Sequence, residues 1–463
     1  MSQKRPAETA IQPMKRIKNE NNNNLESDAS TIKIPTQLPK EILQKYDNGV
    51  GKLLISGMIN WERPWKNPPK NVVKTPIELL KFHRFTDEKY QAVISGPCSV
   101  HTILINSEGK AFGLGQNANG QLGLENLGVY HAPTPIPELD GYNIISAATG
   151  RCHTLFLTDM GTVLACGENK SGQCGIGKLS PMVNKPTLIK YSGHPIVKVG
   201  CGGDFSVILD SKGYLYAFGL PEYGQLGNNT EGKYFIIANK LTFHYETAPK
   251  RIVMYVDKDK TGHFNAIHGV KIEDFSCGPN HTVAIDSEKR IFSWGFGGYG
   301  RLGHAETKDE MMPRLIKYFV NTKANIERVV CGSTFSIAVS PDKVMYLFGL
   351  NRASKTTKEA NMYPKPIHDL SGWKIHSIGC GTTSTMIAAD DSLIAWGAAP
   401  THGELGLGEG QKSSAVPIQV PDFIGTKILQ VTMGMAHTIL LVDTENDKAH
   451  EKYEQFDEYV VEQ

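Results

Sequence analysis

Four histidines, four cysteines and two glycine-rich runs are the residues of this chain whose types and spacing could do chemistry. His101, His153, His281 and His437 each precede a Thr and an apolar stretch. An imidazole is the usual general base near neutral pH and a common metal ligand. Phe205, Phe335 and Ser384 stand in the same phrase elsewhere in the chain. A base or a metal ligand does not survive replacement by phenylalanine. The four therefore read as structural imidazoles, each hydrogen-bonded inside its own repeat. Cys201, Cys277, Cys331 and Cys380 also share one position, and the eight cysteines include no Cys-x-x-Cys pair. They read as reduced, buried small hydrophobes. Zinc would need their sulfurs within about 4 Å of each other, given Zn–S bonds of about 2.3 Å, and equivalent positions on neighbouring units do not offer that.

The glycine runs are look-alikes. Gly172 to Lys178 has the Gly and Lys spacing of a phosphate loop. Leu179 then stands where a Mg²⁺-binding hydroxyl belongs, and Pro181 breaks any following helix. Gly295-Phe296-Gly297-Gly298-Tyr299-Gly300 fits the dinucleotide pattern, but that fingerprint needs strand, turn and helix in succession. Here the flanks read as antiparallel strands. With no Gly-x-Ser-x-Gly and no His-Glu-x-x-His, the chain is not read as an enzyme with covalent or acid–base chemistry of its own.

The elements that carry these residues repeat. A Cys or Gly doublet, then His-Thr or Phe-Ser, then an alternating apolar strand recurs at 101, 153, 205, 281, 335, 384 and 437, in steps of 52, 52, 76, 54, 49 and 53 residues. Such a period marks units that must stack on their neighbours to bury a core. In the second copy His153 to Leu157 reads as a half-buried strand and Thr158 to Gly161 as a turn. Thr162 to Cys166 returns, and Gly172-Gln173-Cys174-Gly175 turns again. The last turn recurs at Gly120–Gly123, Gly224–Gly227, Gly300–Gly303 and Gly403–Gly406. About fifty residues with turns this closely spaced hold four short antiparallel strands, which is a propeller blade. The expected fold is all-β: a seven-bladed β-propeller over residues 49–443 with disordered tails. Its last copy, His437 to Val442, lacks a partner strand, and the first apolar run, Leu53 to Gly57, lacks a His-Thr strand before it. Pairing the two closes the ring and removes two open edges.

The flanks differ from the repeats. Residues 1–48 carry an Asn-rich run and few aromatics and are expected to stay unfolded. Lys4 and Arg5, followed after nine residues by Lys15, Arg16 and Lys18, have the spacing of a bipartite nuclear-import signal. Residues 444–463 are expected as a mobile acidic tail with room for a short helix. The formal net charge over 463 residues is +2, so any basic binding surface must be local. No apolar run is long enough to suggest a membrane span.

The phrase repeated over residues 49–443 resembles the regulator-of-chromosome-condensation repeat proteins, which are seven-bladed propellers. The stretches Pro221–Gly227, Phe292–Glu306 and Met362–Lys365 resemble a different branch of that family from its Ran exchange factor, whose inserted wedge hairpin has no recognisable counterpart here. The resemblance implies binding and regulation of a small GTPase of Rac or Ral type, by nucleotide exchange or by masking, with no cofactor and no metal. It also implies an importin partner, a nuclear location in interphase, and chromosome, centromere and microtubule association in division. The alternative is a chromatin or microtubule scaffold with no GTPase role. Function is expected where the period breaks. The long step places about 24 extra residues in 228–268, with Tyr234–Ile237 expected to pair with Arg251–Val256. By position, the resemblance assigns the GTPase contact to Asp259, Lys260, Thr261, Gly262, His263, Phe264, Asn265 and Ala266, with Phe264 as the exposed anchor. A second departure, Trp61 to Arg84, offers Lys66, Lys70, Lys74 and Lys81 as a basic, aromatic surface for acidic tails or nucleic acid. The third is Arg352 to Lys358, where one Gly-Gln-Leu-Gly turn is lost.

Overall fold

A computed structural model describes residues 37–59, 61, 78–237, 240–350, 360–397 and 402–459. Seven sheets form the ring, six of four strands and one of six in which a hairpin adds to the four blade strands, and a separate two-stranded hairpin stands apart from them. The repeated His-Thr phrase supplies the second strand of each blade. That strand is buried along its whole length, as in His153–Thr158 and His281–Asp286, because it is sandwiched between neighbouring blades. The alternation that marks half-buried strands is confined to the innermost and outermost strands.

Ring closure follows the expected pairing. Lys52–Met58 lies antiparallel to His437–Val442, with Leu53 opposite Leu441 and Ser56 opposite Thr438. Glu78–Arg84 and Ile428–Met433 complete this shared blade, numbered blade 1 here. Blades 2 to 7 follow in chain order, with second strands beginning at His101, His153, Phe205, His281, Phe335 and Ser384. Innermost strands from all seven blades line a central channel. The face on which the innermost strands begin is called the front, and the opposite face the back.

Both ends of the propeller extend beyond the expected boundaries. Residues 37–48 are not a free arm. Leu38 is buried, its amide donates to the Asp159 carbonyl at 2.8 Å, and the Tyr46 hydroxyl donates to the Val197 carbonyl. This short segment crosses the front face. The acidic C-terminal stretch is likewise docked rather than mobile over 447–459. Helix Asp447–Glu454 is capped by Asn446, which accepts from the Ala449 amide at 2.8 Å. Its Tyr453 is 1% exposed and donates to the Leu53 carbonyl at 3.1 Å. Arg84 binds the Phe456 carbonyl at 2.9 Å and pairs with Glu454, and Phe456 packs on Phe423 with ring centroids 5.1 Å apart. A few apolar side chains among the charges were enough to anchor each end, and composition averaged over a tail does not register them.

The long step is two hairpins, not one. Lys233–Ile237 pairs with Lys240–Phe243, and Tyr255–Lys258 pairs with Phe264–Ile267. The stretch expected to bridge them, Arg251 onward, is split. Glu246–Arg251 is the outermost strand of blade 4, and the chain then leaves for blade 5. The blade's own need for a fourth strand outweighed the local pairing.

Candidate functional site

The histidines form joints between blades. His101 Nε2 lies 2.8 Å from the Thr154 hydroxyl of the next blade, and that hydroxyl donates to the Gln121 carbonyl at 2.7 Å. The hydroxyl has one proton and spends it on the carbonyl, so the imidazole is the donor to it. The same chain runs from His153 to Ser206 at 3.0 Å and on to the Gln173 carbonyl at 2.8 Å. It runs again from His281 to Ser336 at 2.9 Å and on to the Arg301 carbonyl at 2.9 Å. His437 of the shared blade reaches Thr102 at 3.0 Å. These bonds cross to the neighbouring blade instead of staying within one repeat, as the sequence reading had placed them. The His-Thr phrase and the Gly-Gln-Leu-Gly turn are thus two halves of one clasp. Where Phe205 replaces the histidine, Trp294 of blade 5 donates to the Gln225 carbonyl at 3.0 Å.

Burial fixes the chemistry of these rings. It pushes His101 and His437 down to about 3 and His153 down to about 4, and holds His281 well below its ordinary 6.5. They are neutral at physiological pH and sealed from any substrate. Burial raises the thiols instead, Cys331 to about 12, and keeps Cys201, Cys277 and Cys380 protonated. Among the described residues no cluster of three or more His, Cys, Asp or Glu could hold a metal ion. The phosphate-loop look-alike is packed shut. A Cβ on Gly175 would meet the Phe218 ring at 2.6 Å. Gly295 to Gly300 ends a strand and turns, and a Cβ on Gly300 would strike the Met362 backbone at 2.5 Å.

The candidate site is the hairpin Tyr255–Ile267 on the outer edge of blade 5. Its first strand joins the blade by one parallel pair, Val256 with Arg314, making a six-stranded sheet. The tip is a built turn. Asp259 accepts from the Thr261 amide at 2.8 Å, the Thr261 hydroxyl at 2.6 Å and the His263 amide at 3.0 Å. These donors hold the Asp259 carboxyl below its ordinary range. Lys260, Thr261, Gly262, His263, Asn265 and Ala266 are exposed. Phe264 is half-buried, with the Lys258 ammonium 5.5 Å from its ring centroid. It is therefore not the free anchor expected from sequence, and Asp259 is spent on the turn. Sequence reasoning missed Val253, 72% exposed, and Met254, 41% exposed, which precede the hairpin. Both lie inside the expected strand Arg251–Val256, and it was the reading of that stretch as paired that hid them. It also missed the second hairpin, whose Phe235 is 69% and Ile236 54% exposed.

The other sites divide. Lys81 is exposed on the outermost strand of blade 1 and its backbone bridges to Leu407. Lys66, Lys70 and Lys74 lie outside the described residues, as do Lys4, Arg5, Lys15, Arg16, Lys18 and the segment 352–358. The aromatic ends of the second departure are core. Trp61 is buried with its ring 4.5 Å from that of His437, and Phe82 packs on Phe423 at 5.0 Å. No helix among the described residues is long and apolar enough to cross a membrane.

Comparison with known proteins agrees with this architecture. The RCC1-like domain pattern matches residues 66–440. The chain is 43% identical over 417 residues to the Protein RCC2 homolog of Danio rerio, covering 88% of this chain and 84% of that one. It is also 43% identical over 417 residues to Protein RCC2 of Homo sapiens, covering 88% of this chain and 79% of that one. Among solved structures, Prp20p from Saccharomyces cerevisiae, described with its binding to Gsp1p and histones, superposes with a TM-score of 0.67 at 17% identity, over 89% of this chain and 96% of that one. Yeast RCC1 (Prp20), in a structure with Kap60, gives a TM-score of 0.68 at 18% identity, over 94% of this chain and 98% of that one. At these identities the superpositions speak for the fold alone.

Proposed function

The chain belongs to the RCC1-like domain family, and on that premise we propose that it binds and regulates a small GTPase through the hairpin Tyr255–Ile267. The observation that carries the reading is the exposed tip from Lys260 to Ala266, held in one conformation by Asp259 yet contributing nothing to the blade core. A preformed polar tip suits recognition of a protein surface, because little ordering cost remains to be met on binding. The proposed partner is of Rac or Ral type. Exchange activity would follow from tighter binding to the nucleotide-free state and needs no acid–base group on the propeller. Masking of the GTPase needs only the same contact. The test replaces residues 259–266 by a Gly/Ser linker of equal length. Binding of a nucleotide-free Rac-type GTPase should weaken at least tenfold, about 1.4 kcal/mol, with the melting temperature unchanged. Wild-type affinity in that variant would move the contact elsewhere on the ring.

Location belongs to the same proposal. Replacing Lys4, Arg5, Lys15, Arg16 and Lys18 by Ala should shift the protein from nucleus to cytoplasm in interphase cells and abolish importin binding. Unchanged nuclear accumulation would return these residues to the role of solvated charge. The second reading, a chromatin or microtubule scaffold, is favoured by salt-sensitive association with nucleosomes or microtubules in the absence of any GTPase binding.

A further inference from the structure

The hairpin Tyr255–Ile267 is held to its blade by very little backbone. One residue pair joins it to the outermost strand of blade 5. Its root is held by the buried Tyr255 and Val256 and by an ion pair of Asp257 with Lys317 at 3.1 Å, and further out its angle is set by a knot of charge along the blade edge. The Lys258 ammonium lies 3.2 Å from Glu306 and 3.9 Å from Glu310. Arg314 sits 2.6 Å from the same Glu306 oxygen and 2.5 Å from the same Glu310 oxygen. Two cations and two carboxylates therefore compensate one another. The site is mostly dry, with Lys258 18% and Glu310 6% exposed at the side chain. Arg314 and Lys258 together hold the Glu306 carboxyl down at about 2 against the opposing effect of its burial.

Lys258 is the only one of the four that belongs to the hairpin. Its ammonium also lies near the Phe264 ring, on the returning strand. It therefore touches the returning strand and the blade edge at once. The base of the excursion is pinned separately. Arg251, where the chain leaves blade 4, and Lys271, where it joins blade 5, lie 3.5 Å and 3.6 Å from the Tyr214 ring centroid. Base and mid-strand are thus secured, and the tip projects from a fixed mount.

We propose that Lys258 is a positioning residue for partner binding: through Glu306 and Glu310 it sets the angle at which the tip Lys260–Ala266 is presented. This rests on the GTPase reading of the hairpin given above. Removing the ammonium leaves Glu310 with Arg314 and leaves Glu306 with Arg314 and Lys308, and loosens the outer part of the hairpin beyond its buried root. The tip turn itself survives, because Asp259 builds it locally. Affinity falls through lost presentation rather than lost contact.

The test uses the full chain in four forms: wild type, Lys258→Met, Lys258→Arg, and the tip replaced by linker. Each is measured for binding to a nucleotide-free Rac-type GTPase and for amide hydrogen exchange. Lys258→Met should weaken binding at least tenfold and speed exchange across 255–267, leaving exchange in the second strands of all seven blades unchanged. Lys258→Arg should restore both, since a guanidinium can span the same carboxylates. Wild-type affinity in Lys258→Met despite faster hairpin exchange would overturn the proposal, as would unchanged exchange. Loss of protection throughout the ring would overturn it too, by showing a purely structural role. If the wild type binds no GTPase, the reading of the site fails instead. The exchange comparison then still upholds or overturns the hold of Lys258 on the hairpin.

Discussion

The inter-blade clasps and the blade 5 hairpin use the same side chains to opposite ends. Each contains histidine, hydroxyl and carbonyl groups within hydrogen-bond reach. In the clasps, His101, His153, His281 and His437 are at most 2% exposed, and the Nε2 bond of each crosses from one blade to the next. At the hairpin tip, His263 is exposed and its amide serves only a local turn. The first arrangement couples each repeat to its neighbour and cannot meet a ligand. The second projects from a root buried at Tyr255 and Val256, and its exposed tip can change without cost to the fold. Residue type did not separate the two. Burial did.

The largest expected effect tests the coupled region at its weakest point, the closing blade. Deleting residues 432–463 removes the strand His437–Val442 and strips the partner from Lys52–Met58. The loss should be several kcal/mol, comparable to the stability of a whole domain, and the truncated chain should be insoluble or lack a cooperative melt. Deleting only 446–463 should also lower the melting temperature clearly. It removes Tyr453 from a buried site, and large aromatic truncations cost about 3 kcal/mol or more. A wild-type melt for the shorter deletion would show that the docked helix adds nothing to closure.

One joint is the next test. Thr154→Val keeps shape but leaves His101 Nε2 and the Gln121 carbonyl buried without their shared hydroxyl. The expected cost is about 3 kcal/mol, read by urea unfolding. A change at the tip, such as His263→Ala, should cost nothing measurable in the same assay. Equal effects at both sites would erase the distinction between them.

The smallest effect is one histidine's share of a pH dependence. The unfolded chain takes up a proton on each imidazole near its ordinary 6.5, whereas the folded clasps refuse it until about pH 4 for His153 and about 3 for His101 and His437. The unfolded state thus binds more protons in that window, and stability falls as pH drops through it. Stability is full above 6.5. Glu404 opposes this, because burial raises its carboxyl to about 7, so its contribution is lost as pH rises from its ordinary 4.5. Burial lowers His304 to about 3 as well, so five histidines act together, while burial raises Asp309 and Glu310 in the same sense as Glu404. The melting temperature should therefore drop between pH 7 and 5, and less steeply in His153→Phe, the side chain that blades 4 and 6 already carry. An identical slope in that variant would show that the clasp histidines do not govern acid lability.

Blade count and ring closure were legible in the sequence, because each repeat must bury the same faces and so repeats the same phrase, but the second strands, read as half-buried, are buried throughout. The pairing of the first and last strands followed from which strand lacked a partner at either end, and the structure added its register, Leu53 against Leu441. The structural reading of the histidines was legible too, since Phe205 and Phe335 stand in for them. Their partners were not. A hydroxyl in the next blade and a carbonyl in the turn between are about fifty and twenty residues from His101 along the chain, and only stacking brings them together. Tertiary structure alone also decided that Glu246–Arg251 would complete blade 4 instead of pairing with Tyr234–Ile237, that Phe264 would fold back beside Lys258, and that Tyr453 would anchor an acidic tail. In each case the local pattern allowed several partners. The choice went to the one that buried the most apolar surface or compensated the most charge, a quantity defined only once distant segments have met.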